Sequence, residues 1–316
     1  MITYGPVPSR RLGKSMGINN IPPKICTYSC AYCQVGRTLN IEVEPRPFYE
    51  PEELVQNVKE KVAKARDAGE PIDYLSFVPD GEPTLDSNLG EEIRALEPIG
   101  IKRAVITNAS LLWREEVRKR LLEADWVSVK VDSVDEKTWR RVNHPARSLE
   151  LDKILEGITA FSEIFKGELA SETMLVEGIN DSVAGAEKVG EFLSTLDLGT
   201  AYISIPTRPP ADDRVHPPRE EVINRYYQIV NSLVDDVEYL IGYEGNAFAF
   251  TGDVREDLLS ITAVHPMREE AVEEFLGRAE ATWMDVENLI NKEELKVAEY
   301  DGNKYFMRAL SRRSQP

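Results

Sequence analysis

Three cysteines within eight residues are the part of this chain best equipped for chemistry. They lie in Cys26-Thr27-Tyr28-Ser29-Cys30-Ala31-Tyr32-Cys33, a C-x3-C-x2-C spacing, and they are all the cysteine the sequence has. An odd number excludes a complete disulfide framework, and a secreted scaffold would not crowd its cysteines so. A loop this short can wrap three thiolates around one metal centre. A closed structural zinc site wants four protein ligands, and His144, His216 and His265 are all distant in sequence. An iron–sulfur cluster suits soft thiolates, and its usual set of four cysteines is here one short. One iron would then be open to chemistry. Zinc stays as the alternative at this point.

The thiols need elements to position them. After the cysteine loop, apolar β-like runs alternate with amphipathic helical stretches, the pattern of a βα-repeat protein. A helix is expected from Pro51 to Ala68, with Leu54, Val58, Val62 and Ala65 on one face. Pro51 suits its first turn and Gly69 its end. Strands are expected near Met16–Ile21, Tyr74–Val78, Arg103–Thr107, Trp126–Val131, Glu172–Val176 and Ala201–Ile205, with helices near 87–97, 114–123, 149–164, 183–194 and 219–235. About six βα units are too few for a closed eight-stranded barrel. The expected fold is α/β, a partial (β/α)6 TIM-like barrel, with its chemistry at the carboxyl ends of the strands.

Polar motifs follow those strands. Asp80-Gly81-Glu82-Pro83-Thr84 reads either as a tight turn or as a carboxylate with backbone carbonyls able to receive an ammonium group. Thr107-Asn108 could cap a helix or meet a ligand. In Val127-Ser128-Val129-Lys130-Val131-Asp132 the valines share one face, and Ser128, Lys130 and Asp132 share the other. Charges turned into a barrel are costly unless they meet a ligand or pair with each other. Arg208, in Pro206-Thr207-Arg208-Pro209-Pro210, could hold a substrate anion or sit in a surface loop.

Cys26, Cys30, Tyr32 and Cys33 resemble the signature of the radical S-adenosylmethionine (SAM) superfamily, including the aromatic residue just before the last cysteine. That resemblance implies a [4Fe–4S] cluster on the three cysteines, with the amino and carboxylate groups of SAM on the fourth iron. It also implies one-electron cleavage of SAM to methionine and a 5′-deoxyadenosyl radical that abstracts a substrate hydrogen. Tyr32 would pack beside SAM. Asp80–Thr84 is similar to the family's Gly-Gly-Glu motif, with Asp80 replacing the first glycine, so Gly81 and Glu82 would hold the amino group. Thr107-Asn108 matches the position that hydrogen-bonds the ribose or carboxylate, and Lys130 and Asp132 would serve the rest of SAM. Met174–Asp181 resembles the adenine-supporting element: Val176 would back the base and Gly178 allow close approach, although Asp181 stands where glutamate is usual. The resemblance covers roughly residues 20–210.

Gly5–Gly13, Lys24–Cys30 and Cys33–Thr38 are similar to uncharacterised proteins grouped with the wyosine-base synthetases, which remodel a tRNA guanosine. Those synthetases use a second cluster on additional cysteines, and this chain has none left. The fold and SAM chemistry therefore carry over, but the tRNA reaction does not. The expected function is a single-cluster radical SAM enzyme acting on an unidentified substrate, such as an RNA base. The alternatives are a peptide- or protein-modifying relative and a non-enzymatic, metal-stabilised interaction protein.

Composition sets the remaining bounds. Of 316 residues, 38 are Lys or Arg and 55 Asp or Glu, a net charge of −17 that disfavours general binding to nucleic acid or anionic membrane. No apolar run approaches the ~20 residues of a membrane span, and the amino terminus lacks a signal pattern, so a cytoplasmic location is expected. Residues 1–50 carry +3 and the rest −20. A basic collar there could dock an acidic reductant such as flavodoxin or ferredoxin, or a phosphate-bearing substrate; the plain alternative is a solvated face. Two domains are expected, a core over 1–254 and a winged-helix-like unit over 255–316. In the latter, helices near Glu269–Leu276 and Thr282–Ile290 precede strands Leu295–Tyr300 and Lys304–Leu310, which flank an Asp301-Gly302-Asn303 turn. Nine basic and thirteen acidic residues there oppose duplex DNA binding. A peptide, protein or intramolecular contact is expected instead, with Arg308, Arg312 and Arg313 as the basic end that could touch a tRNA.

Overall fold

Strands whose two faces both carry apolar side chains must be covered on one side and packed inside on the other. A computed structural model, describing residues 2–242 and 245–309, shows how this is met. From the amino end come β1 (Thr3–Ser9), β2 (Gly13–Ile18), and a cysteine loop bracketed by the short strands β3 (Ile25–Cys26) and β4 (Asn40–Ile41). Then follow α1 (Pro51–Asp67), β5 (Tyr74–Phe77), α2 (Leu89–Ala95), β6 (Lys102–Thr107), α3 (Glu115–Leu121) and β7 (Trp126–Lys130). The barrel part ends with α4 (Glu136–Asn143), α5 (Leu151–Ile164), β8 (Glu168–Met174), α6 (Val183–Leu193), β9 (Thr200–Ser204), α7 (Glu220–Asn231) and β10 (Val237–Leu240).

Eight strands form one curled sheet in the order β1-β2-β5-β6-β7-β8-β9-β10, parallel except for the antiparallel β1–β2 pair. This is the partial barrel, six βα units with β1 at one edge and β10 at the other. Leu75, Phe77, Val105, Val127, Val129 and Ile203 face outward into a core shared with Leu54, Val58, Ile93, Phe161 and Val230 of the helices. Leu12, Ala104, Trp126, Ala170, Tyr202 and Leu240 pack together on the inner face. The alternation in β7 therefore works as expected, with valines outward and Lys130 inward.

Three elements depart from the sequence expectation. β1 contains Pro6 and Pro8, which cannot donate to a ladder, and it is tolerated because it lies at the sheet edge. β10 is only four residues long and lies at the other edge. α4 buries only Trp139, Val142 and Asn143, too sparse a pattern to read as a helical face. The fifth expected strand also shifts: β8 covers Glu168–Met174, so Val176 lies beyond its end.

The carboxyl-terminal elements are α8 (Val254–Val264), β11 (Met267–Arg268), α9 (Glu269–Arg278), α10 (Trp283–Asn291), β12 (Leu295–Tyr300) and β13 (Asn303–Arg308). A capping box between Thr282 and Asp285 starts α10. The strands form an antiparallel sheet in the order β11-β13-β12, with Tyr300 paired to Asn303 across the expected turn. Their apolar cluster, including Phe248, Leu258, Phe275 and Phe306, takes in Tyr4 and Val7 of β1. Leu310, Arg312 and Arg313 lie outside the described residues. No described helix is long and apolar enough to cross a membrane.

Candidate active site at the carboxyl ends of the strands

The loop after β2 carries the cysteines over the strand ends, where they line a cavity of about 350 Å³. The cavity brings together Cys26, Cys30, Tyr32 and Cys33 with Gly81, Glu82, Thr107, Asn108, Lys130 and Arg208. Asp132, Val176 and Gly178 are not on its wall. Val176 is buried with Ala31 and Val142 against Tyr32, and Gly178 sits at φ 65° in an exposed turn.

Each motif is fixed by hydrogen bonds that its residue types make possible. Glu82 Oε1 accepts from the Thr84 amide at 3.0 Å, the Thr84 hydroxyl at 2.6 Å and the Thr107 hydroxyl at 2.5 Å. Its Oε2 accepts from the Asn108 amide at 2.8 Å. Glu82 thus clamps the ends of β5 and β6 together; burial raises its pKa, against these bonds. Gly81 is required by a close approach: a Cβ there would lie 1.9 Å from the Ile25 carbonyl oxygen. Asp80 is 5% exposed, its Oδ1 has no partner among the described residues, and burial pushes its pKa up to about 7.

Two sulfurs receive amide donors. The Asn108 side chain donates to Cys26 Sγ at 3.5 Å and to Thr27 Oγ1 at 2.8 Å. Asn143, at the end of α4, donates to Cys30 Sγ at 3.4 Å and to Asp132 Oδ2 at 2.7 Å. Asp132 also accepts from the Tyr32 hydroxyl and, at 2.8 Å, from the Met174 amide. Its carboxylate is therefore an anchor behind Tyr32, and Lys130 Nζ lies over the Tyr32 ring at 4.9 Å. Burial raises all three thiol pKa values, Cys30 to about 12. Free thiolates are costly here, and a bound cation is what lets such sulfurs ionise.

The inward charges pair as well as line the cavity. Lys130 lies 3.2 Å from Glu172 and 3.5 Å from Asp132, and Arg11 pairs with the other oxygen of Glu172. Burial alone would raise the Glu172 pKa, but Lys130 and Arg11 hold it well below the usual range. Arg10 donates to the carbonyls of Leu240 and Gly242. Arg10 and Arg11 spend these donors across the sheet while lining the same cavity as the cysteines. Arg208 donates to Gln34 at 2.6 Å and lies 3.0 Å from His265 Nε2. His265 reaches the cavity from just beyond α8, and its pKa is lowered by burial, then by Arg208 and Arg10. Sequence reasoning missed Glu172, Asn143 and His265. Only Glu172 carried a signal, since it alternates with Ala170 and Met174 on β8.

Among the described residues, no group of three or more His, Cys, Asp and Glu side chains is set to hold a single metal ion. The donor set is three soft thiols on a loop beside an orphaned carboxylate oxygen, and it fits a cluster with a zwitterionic ligand. A model of the radical SAM superfamily matches residues 20–185. The chain belongs to that superfamily. It is 47% identical to the UPF0026 protein MJ1312 of Methanocaldococcus jannaschii over 99% of this chain and 98% of that protein. A UPF0026 protein of Helicobacter pylori strain J99 is 36% identical over 66% of this chain and 67% of its own. Among solved structures, a radical SAM methyltransferase from Sphaerobacter thermophilus shares the fold with a TM-score of 0.54 at 18% identity, covering 72% of this chain and 66% of that one. The protein is accordingly a radical SAM enzyme, and its family implies SAM and an iron–sulfur cluster. The non-enzymatic reading is set aside.

Proposed function

We propose that Cys26, Cys30 and Cys33 hold one [4Fe–4S] cluster and that the cavity beside them holds SAM together with the substrate. The observation that carries this reading is the convergence of three half-buried thiols with the β5, β6 and β7 motifs on one cavity wall. Held by Cys26, Cys30 and Cys33, the cluster would supply the one-electron reduction that splits SAM into methionine and a 5′-deoxyadenosyl radical able to abstract hydrogen. Gly81 keeps the turn against Ile25, and Glu82 ties Thr84, Thr107 and Asn108 into the surface that meets the amino-acid end of SAM. Tyr32, anchored by Asp132 and covered by Lys130, packs beside SAM. Val176 backs that aromatic wall on the adenine side, and Gly178 shapes the turn after it. Asn108 and Asn143 hydrogen-bond the sulfurs, which tunes the cluster potential. An external one-electron donor such as flavodoxin or ferredoxin supplies the electron.

An RNA base is the substrate this reading favours. Residues 7–12, from the segment that resembles the wyosine-synthetase branch, belong to the cavity wall. Arg208 is its anion contact. Residues 255–316 act as a winged-helix-like unit with an intramolecular role, supported by Tyr305 donating to the Thr207 carbonyl at 2.8 Å.

Anaerobic purification tests the core of the proposal. A brown protein with about four irons per chain that forms 5′-deoxyadenosine after dithionite reduction is the expected result. Colourless protein with one zinc, or a reduced cluster that leaves SAM intact, refutes it. Crosslinking to cellular RNA that weakens steeply with salt supports the RNA substrate; capture of peptide alone points to the alternative.

A further inference from the structure

The cysteine loop has an inner and an outer face. Cys26, Cys30, Cys33 and Gln34 line the cavity, whereas Arg37, Leu39 and Ile41 are not on its wall. Leu39, at 73% exposed, is the most exposed large apolar side chain among the described residues, and Ile41 stands at 51%. This outer segment is tied to the first cysteine through the main chain. Ile41 is the strand partner of Cys26, and the Glu42 amide donates to the Cys26 carbonyl at 3.2 Å. The Leu39 and Asn40 amides both donate to the Lys24 carbonyl at 3.1 Å. An exposed apolar surface thus lies one strand spacing, about 4.8 Å, from a cluster ligand.

The face also differs in charge from the rest of the chain. Residues 1–41 hold five basic residues and no Asp or Glu, in a chain with 55 acids and a net charge of −17. Arg10, Arg11 and Lys14 turn their donors to partners across the sheet, which leaves Lys24 and Arg37 near the apolar pair. The next acids, Glu42 and Glu44, are held by Arg46 at 3.0 Å and Arg114 at 2.6 Å. Asp212, which also feels Arg37, is held by Arg214 at 2.7 Å. An acidic protein is repelled by most of this molecule and drawn to its long acid-free stretch, where exposed apolar side chains can hold it.

We propose that the outer face of the cysteine loop, centred on Leu39 and Ile41 and flanked by Lys24 and Arg37, docks an acidic one-electron carrier protein. This rests on the radical SAM reading of the site. With SAM and substrate in the cavity, the inner face is closed to a protein donor and the outer face is not. The step is a single electron transfer: the carrier is oxidised by one electron, the cluster is reduced by one, and no bond forms or breaks.

The test is rapid-mixing reduction of anaerobically reconstituted protein, followed in the visible absorbance, with reduced flavodoxin, reduced ferredoxin and dithionite. Leu39→Ser with Ile41→Ser should slow reduction by the better carrier roughly tenfold, and Arg37→Glu should slow it severalfold at low salt and less at high salt. Leu39→Met keeps the apolar surface and should keep the wild-type rate. Dithionite should reduce wild type and the Leu39→Ser, Ile41→Ser protein alike. Unchanged carrier rates overturn the docking face, as does equal slowing with dithionite, which would mark damage to the loop. Self-association lost in the variants while carrier rates hold would give the face to a second copy of the chain, and that also overturns it. So does a wild type that dithionite reduces and neither carrier does. Wild-type protein that builds no reducible cluster overturns instead the reading underneath, before any variant is made.

Discussion

Replacing Gly81 by alanine should damage this fold more than replacing any exposed glycine, for a reason that can be given a size. The new Cβ would lie 1.9 Å from the Ile25 carbonyl oxygen and 2.9 Å from Ile21 Cδ1. Ordinary contact begins near 3.4 Å, so the carbonyl must retreat by about 1.5 Å. That carbonyl directly precedes Cys26 and accepts the Glu82 amide at 3.2 Å, so the retreat disturbs the first cysteine and the clamp together. Overpacking of this kind costs about 3 kcal/mol when backbone must move, which lowers Tm by roughly 4–5 °C in a chain this long. Gly277→Ala is the control. It lies in α9 with nothing within 4 Å of the added Cβ, and it should stabilise by about 0.5–1 kcal/mol. The assay is thermal unfolding with iron content measured on the same samples. A Gly81→Ala protein that melts with the wild type and keeps its iron would refute the reasoning.

Lys61 donates to Asp257, within α8, at 2.8 Å and to Thr251, just before α8, at 2.9 Å. Lys61→Met strands a buried carboxylate and should cost about 3–5 kcal/mol in chemical unfolding, whereas Lys61→Met with Asp257→Leu should recover most of it. Asp86 and Glu92 are buried carboxyls that interact, and burial followed by Asp86 pushes the Glu92 pKa up to about 9. The folded state then keeps a proton that the unfolded chain releases above its ordinary value near 4.5. Stability should therefore be full below that value and fall as pH rises toward 9, with a slope of at most about 1.4 kcal/mol per pH unit. Glu92→Gln should flatten that profile, and an unchanged slope would count against the shared proton. Asn143→Leu removes the amide donor to Cys30 and should lower the cluster's reduction potential in a spectroscopic redox titration.

The sheet was legible where strands are buried on both faces and illegible where they are not. Val105 and Ile203 sit in continuous apolar runs, Val127 and Val129 alternate with Ser128 and Lys130, and their strands lie within a residue or two of the expected positions. β1 hides behind two prolines that only an edge position permits. α4 exists for its ends: Asp135 accepts the Thr138 amide at 2.9 Å, and Asn143 delivers its side chain to Cys30. Its N-cap was the one readable signal. The boundary of β8 was misplaced because Asn180 bonds Met174, Val176 and Asp132, folding the chain back just after the strand. In the site, the cysteines were legible from spacing alone. His265 was not, because tertiary packing brings its segment to the cavity: α8 on Tyr4 and Val7 of β1, and Tyr300 and Tyr305 on Pro206 and Thr207.

The apolar cluster that joins Tyr4 and Val7 to Phe248, Phe275 and Phe306 has a consequence for biosynthesis. Domains fold as units while the ribosome extends the chain from its amino end. Here the first strand of the sheet waits for partners made some 240 to 300 residues later. The cysteine loop leaves the ribosome early, whereas His265 on the wall of the cavity it faces is made more than 200 residues later. Insertion of iron and sulfide is thus best timed once His265 has reached that wall, and metal offered to nascent chains should yield little loaded protein.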